Sequence, residues 1–322
     1  MATTLPSEIT HRLAKKGIGF FASPERMKLP QPFPYQGSKR NLASLILPYI
    51  PKDCETFWEP FSGSAAMTIA VATEKLAKRF VINDINGPLA DLWRRIIQDP
   101  SGLASDYERL WKEQGEQRIE FYNAVRARFN GEHREEDFLF LLARCVKAAI
   151  RYNSKGEFNQ SPDPRRSGML PARMRGNLLA ASALLRGRTT VRSADYAVLC
   201  RDARPQDVIY MDPPYQGVSK EKDARYSSSL AFSHFVEALH EMNQRELSYI
   251  VSYDGRTGDK VHGEPLPKRL GLTLIELEAG RSSQATLLGR DEITVESLYI
   301  SAPLMARLEG VPAIEAVSPL LL

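Results

Sequence analysis

Apolar positions follow two rhythms along this chain. Short runs bounded by Gly, Pro, Asn or Asp read as strands at 56–61, 79–82, 189–191, 208–211, 247–252, 272–277 and 293–300. Between several of them, apolar residues recur three and four apart. Leu89, Leu92, Trp93 and Ile96 define a helix over 89–97, and 65–76 and 233–243 are helical too. The stretch 103–150 is helical with mixed charge, whereas RYNSKG and SPDPRRSG break 151–176 into loop. This alternation predicts an α/β fold, a mostly parallel sheet wound on both faces. A helical module interrupts it. The expected division is an N-terminal extension over 1–30, a sheet domain from 31–93 and 188–305, a module at 94–187, and a tail at 306–322.

Composition narrows the class. The chain has 322 residues, 43% of them hydrophobic, enough for a large core without cross-links. Cys54, Cys145 and Cys200 lie far apart with no CxxC, so reduced, structural cysteines of a cytoplasmic protein are expected, and no metal. No apolar run approaches a membrane span, and no signal-peptide core opens the chain. Net charge is only +4, but it is unevenly spread. Between 144 and 188 stand ten Arg and Lys against Glu157 and Asp163, a surplus of +8 that leaves −4 elsewhere. Such a block suits a phosphate backbone.

Ligands of doubly wound sheets sit beyond the carboxyl ends of strands. PFSGSAA occupies that place after the first strand: Pro60 and Phe61 end the run, Gly63 allows a tight turn, and Ser64 and Ala65 permit close approach. About twenty residues on, Asp84 ends the next strand, where an acid can hold both hydroxyls of a ribose or cap the following helix. Neither a full GxGxxG nor GxxxxGK[ST] is present, which disfavours pyrophosphate and triphosphate ligands. An adenosine-containing cofactor without phosphate fits, S-adenosyl-L-methionine first. Lys39, in YQGSKR, is a candidate partner for its carboxylate.

The run 208–211 then stops on Asp212-Pro213-Pro214-Tyr215. An exocyclic base amine is a poor nucleophile because its lone pair is delocalised into the ring. A carboxylate and a fixed carbonyl that accept its hydrogens favour a more tetrahedral nitrogen. Asp212 supplies the first and Pro213 the second, held still by Pro214. Tyr215 offers a plane for a base rotated out of its duplex. The alternative is a plain Pro-Pro turn with local packing of Tyr215.

In order, YQGSKR, FWEPFSGSAA, VINDIN, RYNSKGEFN, VRSADY, DPPY, YIVSYDG and GRSSQAT…EITVESLYIS make residues 35 to about 301 similar to the class α (D12), Dam-like DNA adenine-N6 methyltransferases. The resemblance implies a Rossmann-like methyltransferase sheet with an inserted DNA-recognition module. It also implies methyl transfer from S-adenosyl-L-methionine to adenine N6 in double-stranded DNA by base flipping. Tyr35, Lys39, Asp84, Asp195 and Asp212 are the implied cofactor contacts, and Asp212 to Tyr215 the catalytic loop. Arg151, Tyr152, Asn153 and Asn159 belong to the DNA-reading signature; Arg165 and Arg166 follow in the next loop. Arginines at 151, 165 and 166 suit bidentate contacts with guanine.

Tyr196 stands where Phe is more usual. GATC-specific members carry Tyr-Asn-Gly-Leu just before the signature, where this chain has Val146-Lys147-Ala148-Ala149. A different target is therefore expected. A cytoplasmic, nucleoid-associated location and a cognate restriction endonuclease are further implications. DPPY also occurs in RNA base methyltransferases, which is the alternative function; a silent DNA-binding relative is a third. A zinc deaminase would need PCxxC, which is absent.

Overall fold

In the computed structural model, which describes residues 27–214, 232–257, 260–262, 264–281 and 293–310, the apolar runs become strands of one sheet. They are β1 (Cys54–Glu59), β2 (Ala77–Asn83), β3 (Thr189–Arg192), β4 (Val208–Met211), β5 (Tyr249–Thr257), β6 (Lys260–His262), β7 (Thr273–Arg281) and β8 (Ile293–Ile300). The order is β3-β2-β1-β4-β5-β8-β7, with β6 hairpinned onto β5. The first five are parallel, whereas β8 lies antiparallel between β5 and β7.

Side chains alternate across this sheet as the period of two requires. Phe57, Phe80, Ile82, Val208 and Tyr210 enter one core, and Trp58, Val81, Ile209 and Met211 the other. β4 is buried along its whole length, which is why it reads as an unbroken apolar run. On the first face pack α1 (Ala43–Ile46), α2 (Ala66–Thr73) and α3 (Gly87–Gln98), continuing into α4 (Pro100–Glu113), α5 (Arg118–Glu132), α6 (Glu135–Arg144) and α7 (Pro171–Leu185). The second face carries α8 (Tyr196–Leu199) and α9 (Phe232–Gln244), whose Phe235, Val236 and Leu239 are buried; α10 (Ala302–Glu309) follows β8.

Three expected boundaries move. The cut at 93/94 falls inside α3, because Leu89, Leu92, Trp93, Ile96 and Ile97 form one continuous buried stripe. The cut at 305/306 falls inside α10, where Leu304, Met305 and Ala306 are buried. The loop expected through 176 ends at Pro171, which starts α7 from its first turn, where a missing N–H costs nothing. Residues 1–26 and 311–322, most of the expected extension and tail, lie outside the described residues.

All three cysteines are buried free thiols, each pushed up to about 12, mainly by burial, and chemically inert for that reason. Among the described residues no helix is long and apolar enough to cross a membrane, and no group of three His, Cys, Asp or Glu is placed to hold a metal ion.

Candidate active site

The parallel strands end together. Glu59 is opposite Ile82, Asn83 opposite Arg192, and Met211 opposite Val251, so Pro60, Asp84, Asp195 and Asp212 all leave from one edge. β1 has β2 on one side and β4 on the other, making this edge a topological switch point. A cavity of about 1460 Å³ opens there.

The turn after β1 is fixed from both sides. Gly63 has φ +47°. Its N–H donates to Asp84 Oδ2 at 3.1 Å, and its carbonyl accepts from Trp93 Nε1 at 2.9 Å. Asp84 Oδ1 accepts from the Asn86 N–H at 2.9 Å. Burial outweighs both bonds and lifts the Asp84 carboxyl to about 6. Ser64 donates to Ser38 Oγ at 2.8 Å, bringing YQGSKR against the turn. Pro60, Phe61 and Tyr35 line the cavity, and the Phe61 ring packs 5.1 Å from Tyr196. Asp195 lines it too, but its carboxylate caps α8 by accepting from Ala197 N–H at 2.9 Å.

Three residues here escaped the sequence reading. Asn83 donates to the carbonyls of Pro60 and Ala194 and accepts from Ala194 N–H, clamping three strand ends together. Glu59, 4% exposed, accepts from Thr68 N–H and Oγ1 at 2.9 and 2.5 Å; burial foremost raises it to about 7. An acid inside FWEPF was the available signal. Ile85 stays 60% exposed beside Asp84, an apolar plate in the cavity wall.

At the end of β4, Asp212 Oδ1 stands 3.3 Å from Lys39 Nζ, and Glu296 from β8 holds the same ammonium at 3.2 Å. Lys39 is therefore no free surface cation; it is buried between two carboxylates. Burial first, then Glu296, pushes Asp212 up to about 6 against the pull of Lys39. Pro213 is buried, Pro214 is half-buried, and both line the cavity with Asp212. Tyr215 lies outside the described residues.

The signature 151–159 folds into a hairpin over the cavity. Asn159 N–H donates to Arg151 O at 3.0 Å, and Tyr152 bridges Phe158. Asn153 Oδ1 accepts from the N–H groups of Lys155 and Glu157, so its side chain builds the turn. Tyr152 Oη meets Asn86 Nδ2 at 2.9 Å, joining the hairpin to the helix after Asp84. Just upstream, Lys147 and Ala148 both adopt positive φ (58° and 51°), and Ala148 O accepts from Gln36 N–H at 3.0 Å.

The basic block divides once folded. Arg144 is fully buried, Arg175 pairs with Glu108, and Arg186 and Arg188 bond to carbonyls of Gln98 and Leu184. Asp163 holds Arg165 and Arg166 at 3.2 and 3.4 Å, away from the residues lining the cavity. Lys147, Arg151, Lys155 and Arg173 remain exposed and make no ion pair among the described residues. The footprint is smaller than ten charges suggest.

Comparison with known proteins agrees with this arrangement. A family model described as D12 class N6 adenine-specific DNA methyltransferase matches residues 35–262. A DNA N-6-adenine-methyltransferase of Escherichia phage P1 is 30% identical over 57% of this chain and 24% of its own length. Modification methylase StsI of Streptococcus sanguinis is 26% identical over 79% of this chain and 40% of its own length. A DNA adenine methylase of Vibrio cholerae is 27% identical over 58% of this chain and 65% of its own length. The chain thus spans well under half of the first two relatives. With the family match covering more than half of the sequence and the strand-edge acids in one cleft, the chain belongs to the D12 class N6 adenine-specific DNA methyltransferases.

Proposed function

We propose that the protein transfers a methyl group from S-adenosyl-L-methionine to adenine N6 in double-stranded DNA. The observation that carries this is the meeting of Asp212, Asp84 and the 151–159 hairpin in one cavity at the switch point.

The residues fit such a cofactor. Asp84 and the Gly63 turn suit a ribose, and exposed Ile85 with Phe61 suits an adenine. Glu59 and Asp212 are both raised, burial foremost, and among the described residues Lys39 is the cation paired with Asp212, an environment short of positive charge. The cofactor supplies a methyl group on a cationic sulfonium, which meets that shortage. For the base, Asp212 and the Pro213 carbonyl accept hydrogens from the exocyclic amine, so its lone pair localises. Held this way, the amine would face the methyl group that the bound cofactor would supply, and the surplus amine proton would leave to water. Catalysis is positioning and electrostatics, without a covalent adduct.

Duplex DNA is the substrate partner, and the relative named Modification methylase StsI supports pairing with an endonuclease that reads the same site. Expression in a methylation-free host should place N6-methyladenine at one defined motif; purified protein that methylates RNA and no duplex DNA would overturn the reading. Plain GATC is not the expected motif. Ala148 and Ala149 are 4% and 3% exposed and have no side chain to enter a base step, so another residue must do so, Tyr152 and the SPDPRR loop being the candidates. An enzyme that cuts only methylated GATC should leave the host DNA whole.

The cations should separate by task. Arg165→Ala and Arg166→Ala should weaken all duplexes alike and each reduce the salt slope by about 1. Arg151→Ala, at the cavity hairpin, should instead lower the ratio of cognate to scrambled binding by roughly fivefold or more, consistent with about 1–3 kcal/mol for a bidentate base contact. An unchanged ratio makes Arg151 a phosphate contact.

A further inference from the structure

We propose that Glu296, on β8, is a positioning residue for the transfer: it shares the Lys39 ammonium with Asp212 and so sets the lysine's place and the charge reaching the catalytic acid. This rests on Asp212 being that acid. Lys39 Nζ lies 3.2 Å from both Glu296 oxygens and 3.3 Å from Asp212 Oδ1, with Lys39 only 8% exposed. Glu296 is held in turn. Ser252 Oγ on β5 meets its Oε2 at 3.4 Å, and its backbone pairs with Gly255 where the β5–β8 register shifts. That irregularity lets a side chain from β8 reach over β5 to the end of β4.

Among the described residues the two carboxylates share one ammonium, so Lys39 is divided between Asp212 and Glu296, and Asp212 Oδ2 has no ion-pair partner there. Among the described residues the charged groups facing Asp212 are Lys39 from the turn before α1, Glu296 from β8 and, further off, Glu59 from β1. Without Glu296, Lys39 closes onto Asp212. The acid then stays ionised to lower pH but accepts a hydrogen bond from the base less freely. Without Lys39, two carboxylates face each other and Asp212 protonates sooner.

The test is Glu296→Gln in the full chain, with Lys39→Met as its counterpart. The glutamine keeps the side chain's shape and the Ser252 contact. Three quantities are read: kcat/KM against pH, the dissociation constant for S-adenosyl-L-methionine by calorimetry, and the Asp212 carboxyl titration by ¹³C NMR. Glu296→Gln should move the acid limb down by roughly one pH unit and Lys39→Met should move it up. Turnover of Glu296→Gln at pH 8 should drop several-fold while cofactor affinity changes less. A limb that stays put, or moves the same way in both variants, overturns the proposal. The NMR titration reports the same opposed shifts whether or not adenine is the substrate, so a wrong substrate and a wrong role for Glu296 give different results. Should Glu296→Gln fail to fold, Glu296→Asp, which withdraws the carboxylate by one methylene, is read the same way.

Discussion

Asp212→Asn should lower turnover by about a hundred- to a thousandfold at saturating DNA and cofactor, the usual loss when one preorganised electrostatic partner of the transition state is removed. Duplex binding should survive, because the exposed cations and the hairpin do not depend on Asp212. The carboxyl is shifted from 3.8 to about 6, chiefly by burial, with Lys39 opposing and Glu296 adding to the shift. With 21% of its side chain open to the cleft, solvent tempers that push. As the hydrogen-bond acceptor must be ionised, kcat/KM should fall as pH drops through about 6.

The stability effect has the opposite sense. An acid harder to ionise in the fold than in the unfolded chain costs stability once charged. That cost grows from near pH 4 to near pH 6 and is complete above. Asparagine does not carry it, and Glu296 keeps Lys39 paired in the variant. Asp212→Asn should therefore melt no lower than the wild type at pH 8, with any advantage gone below pH 4. A variant that melts several degrees lower and loses DNA binding in step would make Asp212 a structural residue.

The elements that place Asp212 were readable because their signals are local. The runs 208–211 and 293–300 coincide with β4 and β8, since a buried strand bounded by polar residues carries its own limits in its composition. Gly63, Asp84 and Asp212 could be singled out for a related reason: each sits just beyond such a run, and all three line the cavity. Glu296 was not, because its meaning depends on a partner 257 positions away, and only the order β4-β5-β8 brings the two together. The basic block shows the converse failure. Charge counts cannot tell Arg144, buried in the helical module, from the exposed Arg151, and that difference decides which cations can reach a phosphate. Helix α3 ran through a proposed domain boundary because an amphipathic stripe continues where charge composition changes.

Gly63→Ala should cost more than any other single-methyl change in the part of the cleft proposed to hold the cofactor. Its φ of +47° lies in the left-handed region, where a side chain costs roughly 1–2 kcal/mol. A Cβ there would also stand 2.6 Å from Tyr35 Cε1 and 2.9 Å from Cζ. The backbone cannot easily withdraw, since its N–H is tied to Asp84 and its carbonyl to Trp93. The Tyr35 ring must therefore move, and with it that part of the cavity wall. Cofactor affinity should fall on the order of tenfold or more, because 1.4 kcal/mol of lost fit already equals a factor of ten. A double-mutant cycle with Tyr35→Ala separates the two causes: removing the ring gives the new methyl group its space. If the clash dominates, the double variant should lose less affinity and stability than the two single losses combined. Strict additivity would leave backbone strain at Gly63 as the whole effect and remove Tyr35 from the account of how the turn is held.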